Sequence, residues 1–272
     1  MKIAEHIEIL RREGELLAGA AEEAGLGAPV PTCPGWRVRD LVEHTGAVHR
    51  WAAAFVGRGL TAPRQLEAPP HLDGAELLAW FTEGHRELTS TLASADPEVE
   101  CWRFLPAPSP LAFWARRQAH ETAVHRLDAE AARGGEPTEV GAEFAVDGID
   151  ELLRGFHGRR KRWVRSPEPR LLRVRVTDVV AAADPLDASK AEAEAAAEAV
   201  WTVRISEDPP VTVRGAGGDG VGGAADAVAD CELAGPAAQL YAALWNRSPY
   251  PSVSGDAGTA ELWREQSKEV LG

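Results

Sequence analysis

The chain has 272 residues, 44% of them hydrophobic and 26% charged. That balance excludes global disorder and fibrous repeats, and at roughly 150 residues per domain it predicts one large domain or two modest ones. With 29 Lys+Arg against 42 Asp+Glu the net charge is -13, which repels phosphate backbones and anionic lipid, so neither nucleic acid nor a membrane surface is an expected partner. The opening MKIAEHIEILRREGE holds no apolar leader core, and no run approaches the roughly 18 apolar residues of a spanning helix. A cytoplasmic location is the expectation. Cys33, Cys101 and Cys231 are odd in number and widely spaced, which fits reduced thiols rather than a disulfide framework and offers no CxxC metal pair.

Residues 1–160 read as helices. Ile3, Ile7, Leu10, Leu17 and Ala21 recur at helical spacing over 3–24, until Gly25 and Gly27 stop the pattern. The turn Pro31-Thr32-Cys33-Pro34-Gly35 leads into a second helix from Trp36 to Phe55, closed by Gly57 and Gly59. Asp73, with Glu76 three residues on, has the form of a capping box opening a third helix with Leu77, Phe81, Leu88 and Leu92 inward. Ser109-Pro110 supplies the cap and first position of a fourth helix, which runs to Arg133 and stops at Gly134-Gly135. Four such segments predict a four-helix bundle, followed by a fifth helix over 139–156.

The basic cluster Arg159-Arg160-Lys161-Arg162 and the Pro-containing Ser166–Pro169 stretch mark a linker and a domain boundary at residue 160. Beyond it the period changes to two. Leu172, Val174 and Val176 alternate with Arg173, Arg175 and Thr177 as in a half-exposed strand. Residues 200–205, 211–213 and 227–233 read as further strands, 185–198 as a solvated insertion in preference to a short helix, and Gly215–Gly223 as a flexible loop with no helix placed to hold a phosphate. Helices over 236–245 and 259–270 close the chain. The expected fold class is α+β with two domains, 1–160 and 161–272, the second built on a mostly antiparallel sheet.

The chemistry concentrates in the fourth helix, LAFWARRQAHETAVHRLDAEAAR. At about 100° per residue, Leu111, Trp114, Gln118, Glu121, Ala129 and Ala132 lie within about 40° of His125, a stripe that is apolar at both ends and polar in its middle. A carboxylate and an imidazole inside a bundle are costly without compensation. A bound cation supplies it, and Glu121 and His125, four apart, reach toward the same point; the alternative is a hydrogen-bonded or salt-bridged pair at the bundle edge. His120 lies about 140° from His125 and cannot share that ion. In the second helix His44 and His49 flank the apolar stripe, again about 140° apart, so only one of them can be the third ligand. Two imidazoles and one carboxylate with a vacant position are the arrangement of catalytic zinc, although other divalent metals accept the same donors.

Other polar residues carry plainer expectations. Cys33 has no basic neighbour in its turn except Arg37 and is read as structural, not as a nucleophile. Trp36 packs at the bundle end. His85, on the inward face of the third helix, is read as a core histidine or one that supports a ligand, ahead of a direct ligand. Asp128 either orients the His125 imidazole or forms an ion pair with Arg126 or Arg133.

The segments VPTCPGWRVRDLVEHTGAVHR and FWARRQAHETAVHRLDAE resemble the metal-binding domain of the mycothiol-dependent maleylpyruvate isomerase family, part of the DinB-like four-helix-bundle superfamily. LAGPAAQLYAALWNRSPYPSVSGDAGTAELW resembles the C-terminal domain of those proteins, an α+β module similar to sterol-carrier-protein folds. Together they cover the chain apart from 182–198 and 215–223. The resemblance implies that His44, Glu121 and His125 hold a divalent metal, usually zinc, its D-L-V-x-H pattern selecting His44 over His49. It also implies a catalytic arginine, matched here by Arg247 in LWNR, and mycothiol as the thiol cosubstrate. The implied activity is isomerisation of, or thiol transfer to, a small electrophile. The alternatives are a non-enzymatic small-molecule or lipid carrier with a structural metal, and a metal-dependent hydrolase. The wealth of Ala, Gly, Arg and Trp agrees with a high-GC actinobacterial source.

Overall fold

The computed structural model describes residues 1–159, 164–178, 199–215 and 228–268. They form two compact units, Met1–Thr138 and Glu139–Gly272.

The first unit is a bundle of four helices, α1 (Ile3–Ala24), α2 (Val38–Arg58), α3 (Gly74–Ser94) and α4 (Pro110–Arg133). Their ends follow local chemistry. The Asp73 carboxylate accepts from Gly74 N–H at the start of α3, and Ser109 Oγ accepts from Ala112 N–H at the start of α4, where Pro110 occupies the first position. Helix α2 begins at Val38, two residues beyond the expected Trp36, because the Trp36 carbonyl accepts from Val30 N–H in the preceding turn, and Arg37 O is the first carbonyl to serve the helix. Helix α1 packs chiefly on α4 and α2 on α3. Leu10, Leu17, Leu41, Phe55, Leu77, Phe81, Leu88 and Trp114 are fully buried between them, each worth about 1.5–3 kcal/mol of transfer free energy for a Leu- or Phe-sized side chain.

Helix α4 is the central element and is buried on most of its surface. Its polar side chains therefore need partners inside the protein. Arg126, with no exposed surface, donates from Nε to Glu13 of α1 at 2.7 Å and from Nη1 to Glu130 at 2.7 Å and to the Thr138 carbonyl at 2.8 Å. Burial disfavours that charge, but the two carboxylates outweigh it and raise the guanidinium pKa.

The second unit holds α5 (Ala142–Asp150), which runs on as a π-helical stretch Glu151–Phe156, then β1 (Arg170–Val176), β2 (Val200–Ile205), β3 (Val211–Arg214), β4 (Cys231–Gly235), α6 (Ala237–Leu244), β5 (Val253–Gly255) and α7 (Ala257–Ser267). The sheet order is β3-β2-β1-β4-β5, antiparallel at every pairing except β1 with β4. Leu172 sits opposite Val203 and Val174 opposite Trp201, all four fully buried. The alternation legible in Leu172–Thr177 is thus the pleat of β1.

From sequence alone the division falls at residue 160, on the basic cluster; by contacts it falls after Thr138. The reason is apolar packing: α5 lies against α6, with Phe144 and Tyr241 ring centroids 6.1 Å apart. The strand expected over 227–233 is shifted toward the C-terminus as Cys231–Gly235, and β5 is a three-residue exposed strand that the pattern does not reveal. The expected insertion over 185–198, the glycine-rich 216–223 and Arg160–Arg162 lie outside the described residues. Among the described residues no helix is long and apolar enough to cross a membrane.

Candidate metal centre

Three side chains of the first unit converge. Oε1 of Glu121 lies 3.5 Å from Nε2 of His44 and 3.4 Å from Nε2 of His125, and the three donor atoms are all within 4.8 Å of one another. Helix geometry explains the pair on α4, since residues four apart stack on one face. His44 reaches it from α2, its ring centroid 5.2 Å from that of His125.

These separations exceed an ordinary N–H···O distance of about 2.7–3.2 Å. They match donors around one ion: with metal–ligand bonds near 2.0–2.1 Å, tetrahedral ligands stand about 3.3 Å apart. The donor set fits a divalent cation on chemical grounds as well. Two imidazoles and a carboxylate suit zinc, and the side chains of His44 and Glu121 are 30% and 24% exposed against 7% for His125, so the group opens toward solvent on the side of His44 and Glu121.

The surrounding electrostatics keep Glu121 ionised and favour a positive charge on His125. Burial alone would raise the Glu121 carboxyl, but the imidazoles of His125 and His44 and the guanidinium of Arg117 hold it well below the usual carboxylate range. Burial likewise opposes a charged His125. The hydrogen bond to Asp128 and the negative charge of Glu121 outweigh it and push that pKa up to about 9. A cation held at the Nε2 side would displace that proton and take over its role.

Asp128 is fully buried and resolves the alternatives left by the sequence: its Oδ2 lies 2.8 Å from His125 Nδ1, while Arg126 is committed to Glu13 and Glu130. A carboxylate at Nδ1 keeps the proton on that nitrogen and leaves Nε2 as the donor. The other Asp128 oxygen, Oδ1, accepts from Thr32 Oγ1 at 2.5 Å. Thr32 belongs to a short hairpin closed by the Pro29–Arg37 bridge, with Val30 N–H donating to Trp36 O. Gly35 turns its tip at φ +91°, a conformation suited to glycine. The hairpin also delivers Trp36, whose ring lies 5.2 Å from His44 and, nearly parallel at 20°, 6.2 Å from His125.

The other histidines point elsewhere. His49 is fully buried and bonds through Nε2 to Thr122 Oγ1 at 2.9 Å, beside Phe81 and His85. His85 bonds to the Arg11 carbonyl and occupies space that only a glycine at position 14 leaves, since a Cβ there would meet its ring at 2.2 Å. His120 lies edge-on to His6. All three cysteines are buried; Cys33 serves the turn through backbone bonds to Val30 and Trp36, and burial pushes the Cys101 and Cys231 thiols up. Arg247 lies in the second unit, where its Nη1 donates to Trp245 O at 2.8 Å.

Sequence reasoning missed three residues of this neighbourhood. Arg117, whose Nη2 lies 3.2 Å from Glu121 Oε2, was accessible from the same four-residue helical spacing. Thr32 and the contact of Trp36 with both imidazoles were not, because no periodicity links a hairpin to a helix so distant in sequence.

Comparison with known families agrees with this division of the chain. Residues 7–130 match the mycothiol maleylpyruvate isomerase N-terminal domain, and residues 143–262 match the MDMPI C-terminal domain. Neither the curated proteins nor the solved structures gave a match. With both of its domains accounted for over most of its length, the chain belongs to the mycothiol maleylpyruvate isomerase family.

Proposed function

We propose that the protein is a metal-dependent enzyme that uses mycothiol to isomerise, or to transfer the thiol to, a small electrophilic substrate. The observation that carries this reading is the spacing of 3.4 and 3.5 Å between one carboxylate oxygen and two imidazole nitrogens, on a face that opens to solvent. His44, Glu121 and His125 would hold the cation, with zinc the first choice for this donor set. Bound there, it would supply the Lewis acidity that keeps a thiol deprotonated near neutral pH.

Asp128 fixes the His125 tautomer, Thr32 fixes Asp128, and Trp36 covers the two imidazoles. In the isomerase reading the thiolate forms a C–S bond to an electron-poor alkene, and the π electrons pass to the conjugated carbonyl. Rotation follows about what is now a single bond; the C–S bond then breaks and the double bond returns as the trans isomer. In the transferase reading the adduct takes up a proton and leaves. Arg247 is retained as a catalytic residue on the family resemblance, and the substrate is a small molecule in a reducing, cytoplasmic setting.

Metal analysis of the purified protein is expected to give near one equivalent of zinc, falling sharply in His125→Ala. Unchanged occupancy in that variant refutes the ligand assignment. On metal-replete protein, a screen of mycothiol with conjugated electrophiles, read by mass spectrometry, separates isomerisation from adduct formation. Turnover of esters or amides without any thiol would favour hydrolysis instead.

A further inference from the structure

We propose that Arg117 is a positioning residue of this centre. By engaging Oε2 of Glu121 it leaves Oε1 alone for the cation, so that the carboxylate binds through one oxygen and a position stays open for an exogenous thiol. The inference rests on reading His44, Glu121 and His125 as metal ligands. Arg117, Glu121 and His125 recur every four residues on α4 and so form one ladder along the helix. The two oxygens of Glu121 face different partners: Oε2 lies 3.2 Å from Arg117 Nη2, and Oε1 lies 3.5 and 3.4 Å from the two imidazoles.

An Arg–Glu pair at this spacing is ordinary on a helix surface, but the Arg117 side chain is only 3% exposed. Burying an ion pair gains little stability, because desolvation offsets the attraction; the best-attested use of such a pair is to select one arrangement over another. Here the competing arrangement is chemical. Carboxylates bind cations through one oxygen or through both, and chelation by both would fill the open position. To chelate, Oε2 would have to abandon a buried guanidinium. A guanidinium beside the carboxylate also withdraws negative charge from it, which leaves the cation a stronger acid toward the incoming thiol.

Cobalt(II)-substituted full-length protein tests this by visible spectroscopy, where four-coordinate cobalt absorbs intensely and higher coordination weakens the bands. Arg117→Met is expected to take up one equivalent of cobalt and lose several-fold in band intensity as Glu121 chelates, whereas Arg117→Lys retains the wild-type spectrum. Stoichiometric cobalt with an unchanged spectrum in Arg117→Met overturns the role of Arg117 while leaving the metal centre standing. A wild-type protein that takes up no cobalt overturns both. Should Arg117→Met fail to fold by circular dichroism, X-ray absorption of the zinc-loaded wild type decides: one carboxylate oxygen at bonding distance supports the proposal, and two overturn it.

Discussion

Removing Asp128 separates support of the ligand from ligation itself. In Asp128→Ala the donor set is intact, but His125 loses the acceptor 2.8 Å from its Nδ1, and with it the group that fixes ring orientation and tautomer. Loss of such a partner costs roughly 10- to 100-fold in metal affinity, or about 1.4–2.7 kcal/mol, within the range of one hydrogen bond to a charged group. Thr32→Val is expected to lose less, because Asp128 keeps its bond to the imidazole and forfeits only the hydroxyl at 2.5 Å on its other oxygen. The assay is competition for zinc against a chromophoric chelator at neutral pH, with circular dichroism and urea unfolding to establish that each variant is native. A folded Asp128→Ala that holds zinc as tightly as the wild type, or a Thr32→Val weaker than it, refutes the chain of support from hairpin to carboxylate to imidazole.

Two further predictions concern the bundle. Burial lowers the pKa of His49 and of His85, opposed for His49 by Glu121 and reinforced by the facing His85, and opposed for His85 by its bond to the Arg11 carbonyl. Both are depressed imidazoles, so the unfolded chain takes up protons that the folded one refuses; these two groups leave stability unchanged above about pH 6.5 and lower it below, by up to about 1.4 kcal/mol per pH unit for each group. Chelator-treated protein is therefore expected to lose urea resistance between about pH 6.5 and 5.0, below the window from about pH 9 to 6.5 in which the raised His125 contributes with the opposite sign. His49→Gln, which keeps a partner for Thr122 but does not titrate, should lose less, and an equal slope in the two proteins refutes the account. Arg126→Met leaves Glu13 and Glu130 buried without their cation and is expected to cost about 3–5 kcal/mol in unfolding free energy; a loss below about 1 kcal/mol would class the triad with surface pairs.

Much of this was legible before any coordinates. Helices α1, α2 and α3 show their apolar stripes openly because each buries one face against a neighbour, Asp73 and Ser109-Pro110 mark the starts of α3 and α4, and the strand alternation of Leu172–Thr177 follows the pleat. His49 faces Thr122 and His120 faces His6, on different sides of their helices from His44 and His125, as the separations of about 140° imply. Choosing His44 required the family pattern, because both histidines flank the stripe equally. The division between units was harder: a run of arginines resembles a linker, yet Phe144 packs on Tyr241 and carries α5 into the second unit. Asp128 could not be assigned while Arg126 and Arg133 stood as rival partners, and only the tertiary pairing of Arg126 with Glu13 removed one of them. β5 has three exposed residues and too little alternation to register.

The hairpin over residues 29–37 ties the candidate metal ligands to a stretch of chain that is neither helix nor part of the donor set. Through Thr32, which bonds Asp128, and Trp36, which packs on both imidazoles, the hairpin is in contact with the groups that position His125 and His44, and any energetic coupling between the two is reciprocal. Zinc uptake should accordingly slow amide exchange and proteolytic nicking within that segment, and a ligand that pried the segment loose would, with no contact to the ion, discharge it.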